Sequence, residues 1–244
     1  MRTVVVIQAR MTSERLPGKV LADLAGAPML SHLLRRVKAV DGVDDIAVAT
    51  TARPTDDPVA ERASREGVRC IRGDEADVLG RFVRAAKETC ADVIVRVTGD
   101  CPLLDPGETG RVVRELKERA ATADYAANVL DRTFPRGLDT EALFRDVLER
   151  ADRLGRSEKA REHVTWVVNR ERPDLFVRHS VRDAENNADL RWTVDAPADL
   201  EAVRAIYAGL GLGERILPYR EVLAWVRRNP AVSALNSGLA QKDA

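Results

Sequence analysis

The first predicted strand of this chain constrains its fold more than any other segment. Four apolar residues in a row, Val4–Ile7, lie almost at the N-terminus. A strand with one face in water would alternate apolar and polar residues, so an unbroken apolar run indicates a strand covered on both faces. Helices cover both faces of the sheet in α/β proteins. The run therefore predicts an α/β fold.

The same plan recurs three more times in the first half of the chain. Further strands are predicted at Ile46–Ala49, Val68–Ile71 and Asp92–Thr98, and helices are predicted to begin near Pro28, at Asp57-Pro58, near Val78 and at Asp105-Pro106. Both Asp-Pro pairs suit an N-cap followed by the first helical position. Four strand–helix units in succession predict a parallel sheet with right-handed crossovers.

The alternation stops near Tyr125, which predicts a mixed C-terminal half. Strands are predicted at Asp124–Asn128, Phe176–Val181 and Leu190–Val194, and helices at Ala142–Leu154, Ser157–Arg170, Pro197–Tyr207 and Tyr219–Arg228. Residues past about Ser233 are predicted to fray. We predict a single three-layer α/β/α domain with a mostly parallel Rossmann-like sheet over residues 1–217. A C-terminal helix and a frayed tail then occupy residues 218–244.

Composition argues against several classes of protein. Lysine plus arginine equals aspartate plus glutamate at 39 each, so no overall field attracts nucleic acid or an anionic membrane. No apolar run approaches the roughly 18 residues of a membrane span, and no signal-peptide pattern precedes the first strand. The three cysteines are too few and too widely spaced for a disulfide framework or a zinc site. We expect a cytoplasmic protein without nucleic-acid or membrane partners.

The loop after the first strand is cationic. It carries Arg10, Arg15 and Lys19 within ten residues, together with the Ser13 hydroxyl and Gly18. In open α/β sheets, ligands bind beyond the carboxyl ends of the strands. Guanidinium and ammonium donors at that place suit a phosphate chain. Three scattered cations are more often a solvated surface loop, but the position directly after the first buried strand favours a phosphate site.

This loop is neither a Walker A loop nor a dinucleotide fingerprint, because it lacks the required glycine spacing and has no Ser or Thr after Lys19. Residues 8–19 (QARMTSERLPGK) instead resemble the signature PAR-x-x-S-x-R-L-P-G-K of the sugar-acid cytidylyltransferases, with Gln8 where that family often has proline. These enzymes make CMP-activated 3-deoxy-octulosonate and sialic-acid-type sugars. The likeness is greatest to their bacterial polysaccharide-biosynthesis branch, often labelled spore-coat polysaccharide proteins.

Two aspartates end predicted strands. Asp100 follows Gly99, whose backbone can approach a ligand closely, and Asp195 follows the later strand. Helix capping explains either aspartate alone, because Pro102 and Pro197 follow closely. Beside a phosphate loop, however, two strand-end carboxylates suit Mg²⁺, which prefers one or two carboxylates plus phosphate oxygens and water.

Both aspartates also match the resembled family. Its GD-x-P-L and D-x-P-x-D elements contain aspartates that hold magnesium on the nucleotide, and they correspond to Asp100 and Asp195. Asp199 completes the second element, but its place in the first turn of a helix suits the helix dipole better than a metal. The likeness spans roughly residues 3 to 205. It implies a nucleotide-diphospho-sugar transferase type of fold, CTP, Mg²⁺, an acidic acceptor and a homodimer.

The resemblance also implies residues for each half of the site. The nucleotide set is Ala9, Arg10, Ser13, Lys19, Arg72, Asp77 and Gly99, and the acceptor set is Arg136, Asp139, Glu162 and His163. An arginine at position 136 would pair with an acceptor carboxylate, although a salt bridge at a helix start is an equal alternative. The charges at residues 72–77 also suit a solvated helix start, and His163 also suits a half-buried structural residue.

The predicted reaction is nucleotidyl transfer with release of pyrophosphate. Arg10, Arg15 and Lys19 would bind the β- and γ-phosphates, while Asp100 and Asp195 would place Mg²⁺ on the α-phosphate. One alternative is a glycosyltransferase that uses a nucleotide-sugar, although the D-x-D element typical of such enzymes is missing. Another is a non-catalytic nucleotide-binding protein, which would have no need of all five catalytic candidates.

Overall fold

The computed structural model describes residues 1–239. The strands in this range are β1 (Thr3–Gln8), β2 (Asp23–Leu24), β3 (Ala27–Pro28), β4 (Asp45–Thr51), β5 (Arg69–Gly73), β6 (Val93–Thr98), β7 (Tyr125–Ala127), β8 (Glu141–Phe144) and β9 (Arg178–Ser180). The α-helices are α1 (Met29–Lys38), α2 (Asp57–Arg65), α3 (Val78–Glu88), α4 (Pro106–Glu118), α5 (Arg145–Leu154), α6 (Glu158–Glu162), α7 (Pro197–Leu210), α8 (Tyr219–Arg228) and α9 (Pro230–Ala234). Short 3-10 turns lie at Lys19–Leu21, Pro54–Asp56 and Pro173–Leu175, and a π-helical turn at Val167–Glu171.

The main sheet has the strand order β5-β4-β1-β6-β8-β7-β9, so β1 lies inside it between β4 and β6. The pairs β1–β4, β1–β6 and β4–β5 are parallel, as the strand–helix alternation predicts. β8 joins β6 in the antiparallel sense, and β7 and β9 extend the sheet from there. The predicted α/β fold, with a mostly parallel Rossmann-like sheet, is therefore confirmed.

Residues of β1 point alternately into two separate apolar cores. Val4 and Val6 pack in a cluster that includes side chains of α3 and α5, whereas Val5 and Ile7 pack in a cluster that includes side chains of α1, α2 and α4. All four side chains are fully buried. This explains why the strand is apolar at every position rather than at alternate ones. The sheet is the middle layer of three.

In the second half, three predicted elements differ from the structure. The helix predicted from Ala142 begins at Arg145, because Glu141–Phe144 pairs with β6 as β8. The helix predicted over Ser157–Arg170 is broken after α6, where Val164 has a φ of +35° that no α-helix accommodates. The strand predicted at Leu190–Val194 forms only one bridge, between Arg191 and Arg136.

The C-terminal segment packs on a third apolar cluster, which contains side chains of α7 and α8. Within the segment predicted to fray, Asn236 is buried and hydrogen-bonded, and the fraying of the rest of that segment stays a prediction. The last five residues, 240–244, lie outside the described range, and the boundary at residue 217 stays a prediction. No helix in the described part of the chain combines the length and apolar character needed to cross a membrane.

Candidate active site

β1 and β6 are neighbouring parallel strands, so their carboxyl ends lie side by side at the place where the cationic loop begins. The Gly99 amide donates to the Gln8 carbonyl at 2.8 Å, which joins the two strand ends. A Cβ at position 99 would lie 3.0 Å from that carbonyl and 3.1 Å from the Ala9 Cβ. In the structure, the close approach that Gly99 permits is therefore to β1. It keeps the two strand ends, and the side chains beyond them, close together.

Lys19 reaches this edge from the far end of the loop. Gly18 has a φ of +74°, and its amide donates to the Met11 carbonyl at 2.8 Å, so the loop turns back before Lys19. The Lys19 ammonium lies 2.9 Å from Asp100 Oδ2 and 2.8 Å from Asp195 Oδ1. The structure thus brings together three of the five predicted catalytic residues around a single charge.

The environment of Lys19 determines its charge state. Lys19 is only 9% exposed. Burial lowers the pKa of its ammonium, but Asp100 and Asp195 raise this pKa by more, so it lies above its ordinary value. Burial likewise raises the pKa of Asp195, yet Lys19, Arg191 and Arg15 lower it below its ordinary range. The ammonium and the Asp195 carboxylate are therefore both ionised at neutral pH.

Asp195 is held by two arginines besides Lys19. Arg15 lies 3.2 Å from Asp195 Oδ2, and Arg191 donates to the same oxygen at 2.7 Å. Arg191 also donates to Asp199 at 2.8 Å through Nε. Asp199 is fully buried and accepts hydrogen bonds from the Asp195 and Ala196 amides at the start of α7. Asp199 therefore acts on the helix start, as its position predicts, and orients Arg191.

Asp100 has a different support. Its Oδ1 accepts a hydrogen bond from the Thr98 hydroxyl at 2.6 Å. Cys101 beside it is buried, and burial, followed by the Asp100 charge, raises the pKa of its thiol well above the ordinary value. A neutral buried thiol is neither a nucleophile nor a metal ligand. The buried setting of Cys101 therefore agrees with a structural role rather than a reactive one.

Arg10 lines a cleft of about 970 Å³ on one side of the cationic loop. Its guanidinium lies 3.4 Å from Glu75 and 3.9 Å from Glu162. Glu75 also accepts from the Thr12 hydroxyl at 2.7 Å and pairs with Arg53 at 2.7 Å. Sequence reasoning missed Glu75, although it lies within the segment that resembles the family's nucleoside loop.

Other residues of the predicted nucleotide set have mainly structural contacts. Arg72 donates to the Thr51 and Arg53 carbonyls and pairs with Asp57, which holds the end of β4 against α2. Asp77 accepts from the Gly80 amide as the N-cap of α3, and it also lines the cleft beside Arg10.

The two remaining members of that set lie near the cationic loop and contribute through their backbone. The Ala9 amide donates to the Ala49 carbonyl, and the Ser13 amide donates to the Met11 carbonyl. Asp56, rather than the predicted Asp57, is the N-cap residue of α2. Its carboxylate accepts from the Met11 amide at 2.7 Å and so fixes the loop.

A second cleft, of about 1020 Å³, lies on the side of β6 and β8 and is lined by Arg136, Asp139 and His163. Asp139 is held by Arg132 through two hydrogen bonds of 2.6 and 2.8 Å. Burial lowers the pKa of His163, so this imidazole is neutral at pH 7. Glu162 lies on the first cleft instead. The predicted acceptor set is therefore divided between the two clefts.

Arg191 and Arg132 contact predicted site residues, Asp195 and Asp139, but sequence reasoning did not single them out. Arg191 lies in an apolar stretch that was predicted as a strand, and a buried arginine needs a carboxylate partner. That requirement was the available signal for Arg191. Arg132 had no comparable signal, because its partner Asp139 lies seven residues away in an irregular loop.

The carboxylates suit a divalent cation, although few protein ligands are present. Within residues 1–239, no group of three or more His, Cys, Asp or Glu side chains is placed to hold a metal. Asp100 and Asp195 nevertheless converge on one cationic group, the Lys19 ammonium. Two carboxylates are a sufficient protein contribution for Mg²⁺ when phosphate oxygens and water complete its coordination.

Comparison with known proteins agrees with this geometry. The cytidylyltransferase family model matches residues 4–213. The spore coat polysaccharide biosynthesis protein SpsF of Bacillus subtilis is 31% identical, over 92% of this chain and 94% of its own. A 3-deoxy-manno-octulosonate cytidylyltransferase of Anaeromyxobacter dehalogenans is 30% identical, over 84% of this chain and 97% of its own.

A solved structure has the same fold over the full length. The cytidylyltransferase from Leptospira borgpetersenii superposes with a TM-score of 0.91 at 29% identity, and the match covers 100% of both chains. The family model covers most of the residues that surround Lys19, including both aspartates. The chain belongs to the cytidylyltransferase family.

Proposed function

We propose that the protein transfers CMP from CTP to an acidic sugar or a related acid, with release of pyrophosphate and dependence on Mg²⁺. The observation that carries the proposal is the contact of Lys19 with Asp100 and Asp195 at the edge of the sheet. One wide cleft lies on the Arg10 side and another on the Arg136 side. Two clefts suit a reaction that joins a nucleotide to a second substrate.

The charge balance of the site supports dependence on a divalent cation. Lys19, Arg15 and Arg191 carry three positive charges, which Asp100, Asp195 and Asp199 offset. Arg10 is similarly placed between two glutamates. A triphosphate therefore meets little surplus positive charge from these side chains. Binding of CTP requires an additional cation, and Asp100 and Asp195 are the residues that would hold it.

The residues themselves supply positioning and charge. Bound Mg²⁺ would act as a Lewis acid on the α-phosphate. Arg10 and Arg15 have side chains that are 41% and 32% exposed, so their guanidinium groups can also reach the departing pyrophosphate beside their carboxylate partners. Lys19 keeps Asp195 ionised and holds the two aspartates close together. Nucleotidyl transfer of this kind needs no covalent nucleophile on the protein, because the acceptor oxygen attacks phosphorus directly.

The second cleft supports an acidic acceptor. Five arginines line it, Arg96, Arg132, Arg136, Arg170 and Arg178, against three acidic residues, Asp131, Asp139 and Glu141. A guanidinium binds a carboxylate through two parallel hydrogen bonds, which fixes the orientation of the acceptor. The name of the Anaeromyxobacter relative gives 3-deoxy-manno-octulosonate as its acceptor. An acid of this type presents a carboxylate beside the attacking hydroxyl.

A nucleotide comparison tests the proposal. CTP, UTP, GTP and ATP are each measured for thermal stabilisation with and without Mg²⁺. Pyrophosphate release is then measured with 3-deoxy-manno-octulosonate, with N-acetylneuraminate and with a neutral hexose. We expect stabilisation and release with CTP, only with Mg²⁺, and only with the acids. Equal release from UTP or GTP would contradict the choice of CTP, and turnover of nucleotide-sugars without pyrophosphate release would indicate a glycosyltransferase.

We also infer a homodimer and a cytoplasmic location from the family likeness. Sedimentation velocity at micromolar concentration measures the oligomeric state directly.

A further inference from the structure

The segment after α9 ends in a buried contact with the active-site region. Asn236 is 3% exposed, in contrast to its neighbour Leu235, which is 44% exposed. Its side-chain amide donates to the Arg191 carbonyl at 3.0 Å and to Asp199 Oδ1 at 2.9 Å. One amide nitrogen therefore contacts two of the residues that support Asp195, Arg191 and Asp199.

Two residues, Arg191 and Asp199, link Asn236 to Asp195 through hydrogen bonds. Asp199 accepts from Arg191 Nε at 2.8 Å and from the Asp195 amide at 2.9 Å. Arg191 in turn donates to the Asp195 carboxylate at 2.7 Å. Asn236 thus stabilises Asp199, which sets both the backbone of Asp195 and the guanidinium that orients its side chain.

The chemistry of the position favours an amide. The neutral side-chain nitrogen of asparagine offers two N–H donors, and the structure pairs them with one carbonyl and one carboxylate. An aspartate there would add a negative charge beside Asp199, and an apolar side chain would remove a donor from a buried carboxylate. Removing one partner from a buried polar network is costly because the remaining group stays desolvated.

We propose that Asn236 is a positioning residue for Asp195, through which the C-terminal segment takes part in the active site. The inference rests on the proposed function for its effect on turnover. Asn236 lies beyond residue 213, where the match to the family model ends. The contact is therefore a contribution of the chain outside the part that the family model describes.

The kinetic test compares Asn236→Leu with two exposed neighbours, Leu235→Ala and Ser237→Ala. Asn236→Leu keeps the number and branching of the side-chain heavy atoms and removes both donors. We expect kcat for CMP transfer to fall about tenfold, the lower end of the effect of residues that orient a metal ligand. The KM for CTP should change by less than about twofold, because the cations that contact the phosphates remain. The two neighbouring variants should keep the activity of the wild type.

A double-mutant cycle distinguishes positioning from loss of fold. If Asn236 acts through Asp199, then Asn236→Leu should have little further effect on kcat in an Asp199→Asn background. Full additivity of the two effects would overturn the proposal, and so would wild-type kcat in Asn236→Leu. Asn236→Ala removes the donors without adding bulk or charge, so it provides the same test if Asn236→Leu does not fold.

Hydrogen exchange gives a readout that does not depend on the reaction. The amides of Asp195 and Ala196 donate to Asp199, so Asn236→Leu should increase their exchange rate while leaving that of β1 unchanged. Faster exchange in a protein that shows no CMP transfer would mean that the proposed function fails and the positioning role stands. Unchanged exchange would overturn the positioning role whatever the enzyme does.

Discussion

At Lys19 one ammonium separates two carboxylates in a largely buried place. Two ionised carboxylates repel each other, and the cost rises as water is excluded. Lys19 removes that cost by lying within 3 Å of both. Its contribution to the site is therefore to keep Asp195 ionised and to hold Asp100 and Asp195 together, in addition to the phosphate contact that its place in the loop predicts.

Replacing Lys19 by methionine tests this role, because methionine has a similar length and no charge. We expect Lys19→Met to lower kcat/KM by about 10²–10³, the scale of removing one charge donor from a transition state. Lys38→Met, at the exposed end of α1, is the matched control and should leave kcat/KM unchanged. Steady-state pyrophosphate release measures both variants, and a Lys19→Met enzyme within threefold of the wild type would contradict the assignment.

Individual site residues could be predicted where chain position alone places them. Lys19 lies at the end of the signature loop, Asp100 comes after β6, and Asp195 comes after the predicted strand at Leu190–Val194. The structure brings the three together. Their partners could not be predicted in the same way. Arg191 was hidden inside an apolar stretch, and Glu162 separates from His163 because the chain turns sharply between α6 and Val164. Such pairings depend on tertiary contacts, which local patterns do not contain.

Among the elements, the loop at residues 134–139 and the segment at 190–195 are joined at Gly137. Gly137 has a φ of +105°, and a Cβ there would lie 2.5 Å from the Thr193 amide nitrogen and 2.6 Å from the Trp192 carbonyl carbon. Both contacts are with backbone, which cannot move without displacing the segment that leads to Asp195. The closeness of the two segments therefore depends on the absence of a side chain at this position.

Gly137→Ala should destabilise the protein by about 3 kcal/mol, since it adds a clash with backbone to the 1–3 kcal/mol of an unfavourable φ. Gly26→Ala is the matched control. Gly26 also has a positive φ, of +84°, but its Cβ would meet no atom within 4 Å. This control should cost only about 1 kcal/mol. Urea denaturation of both variants measures the difference, and equal losses would mean that the close packing at Gly137 has no energetic consequence.

Elements of the first half were predictable because β1, β4 and β6 each contain an apolar run and the helices have their own start signals. The same rules failed in the second half for physical reasons. Glu141 belongs to a strand although it is charged, because its carboxylate is buried against Arg96, Tyr125 and Thr165. The segment around Arg191 is extended, but only one neighbour is available for pairing. Whether each segment forms a strand therefore depends on which other segment of the chain packs beside it in the fold.

On the scale of the whole molecule, His32 contacts both an early segment of the chain, at Leu24, and a late one, at Tyr207. Its Nε2 contacts the Leu24 carbonyl at 2.5 Å, and its ring packs edge-on against Tyr207 of α7 at 4.9 Å. Burial lowers the pKa of this imidazole, and the nearby charges of Arg35 and Arg36 lower it further. The folded protein therefore holds His32 neutral at a pH where the unfolded chain would protonate it.

Stability should consequently fall on acidification. Above pH 6.5, the ordinary pKa of histidine, neither state binds the proton and His32 carries no penalty. As the pH falls through 6.5, the unfolded state binds a proton that the folded state does not, so the free energy of unfolding decreases. His32→Gln does not titrate and should flatten this dependence in urea denaturation. Equal pH slopes for the wild type and His32→Gln would contradict the explanation.

The contacts of Lys19 also have a consequence for the time at which the active site forms during synthesis. Its partners lie 81 and 176 positions further along the chain, at Asp100 and Asp195, and Asn236 follows later still. A polypeptide emerges from the ribosome N-terminus first, at roughly 5–20 residues per second. The cationic loop therefore leaves the ribosome well before either the second aspartate or the amide hydrogen-bonded near it. A chain released early, after Asp100 but before Asp195, would carry Lys19 opposite a single carboxylate and would have no complete site.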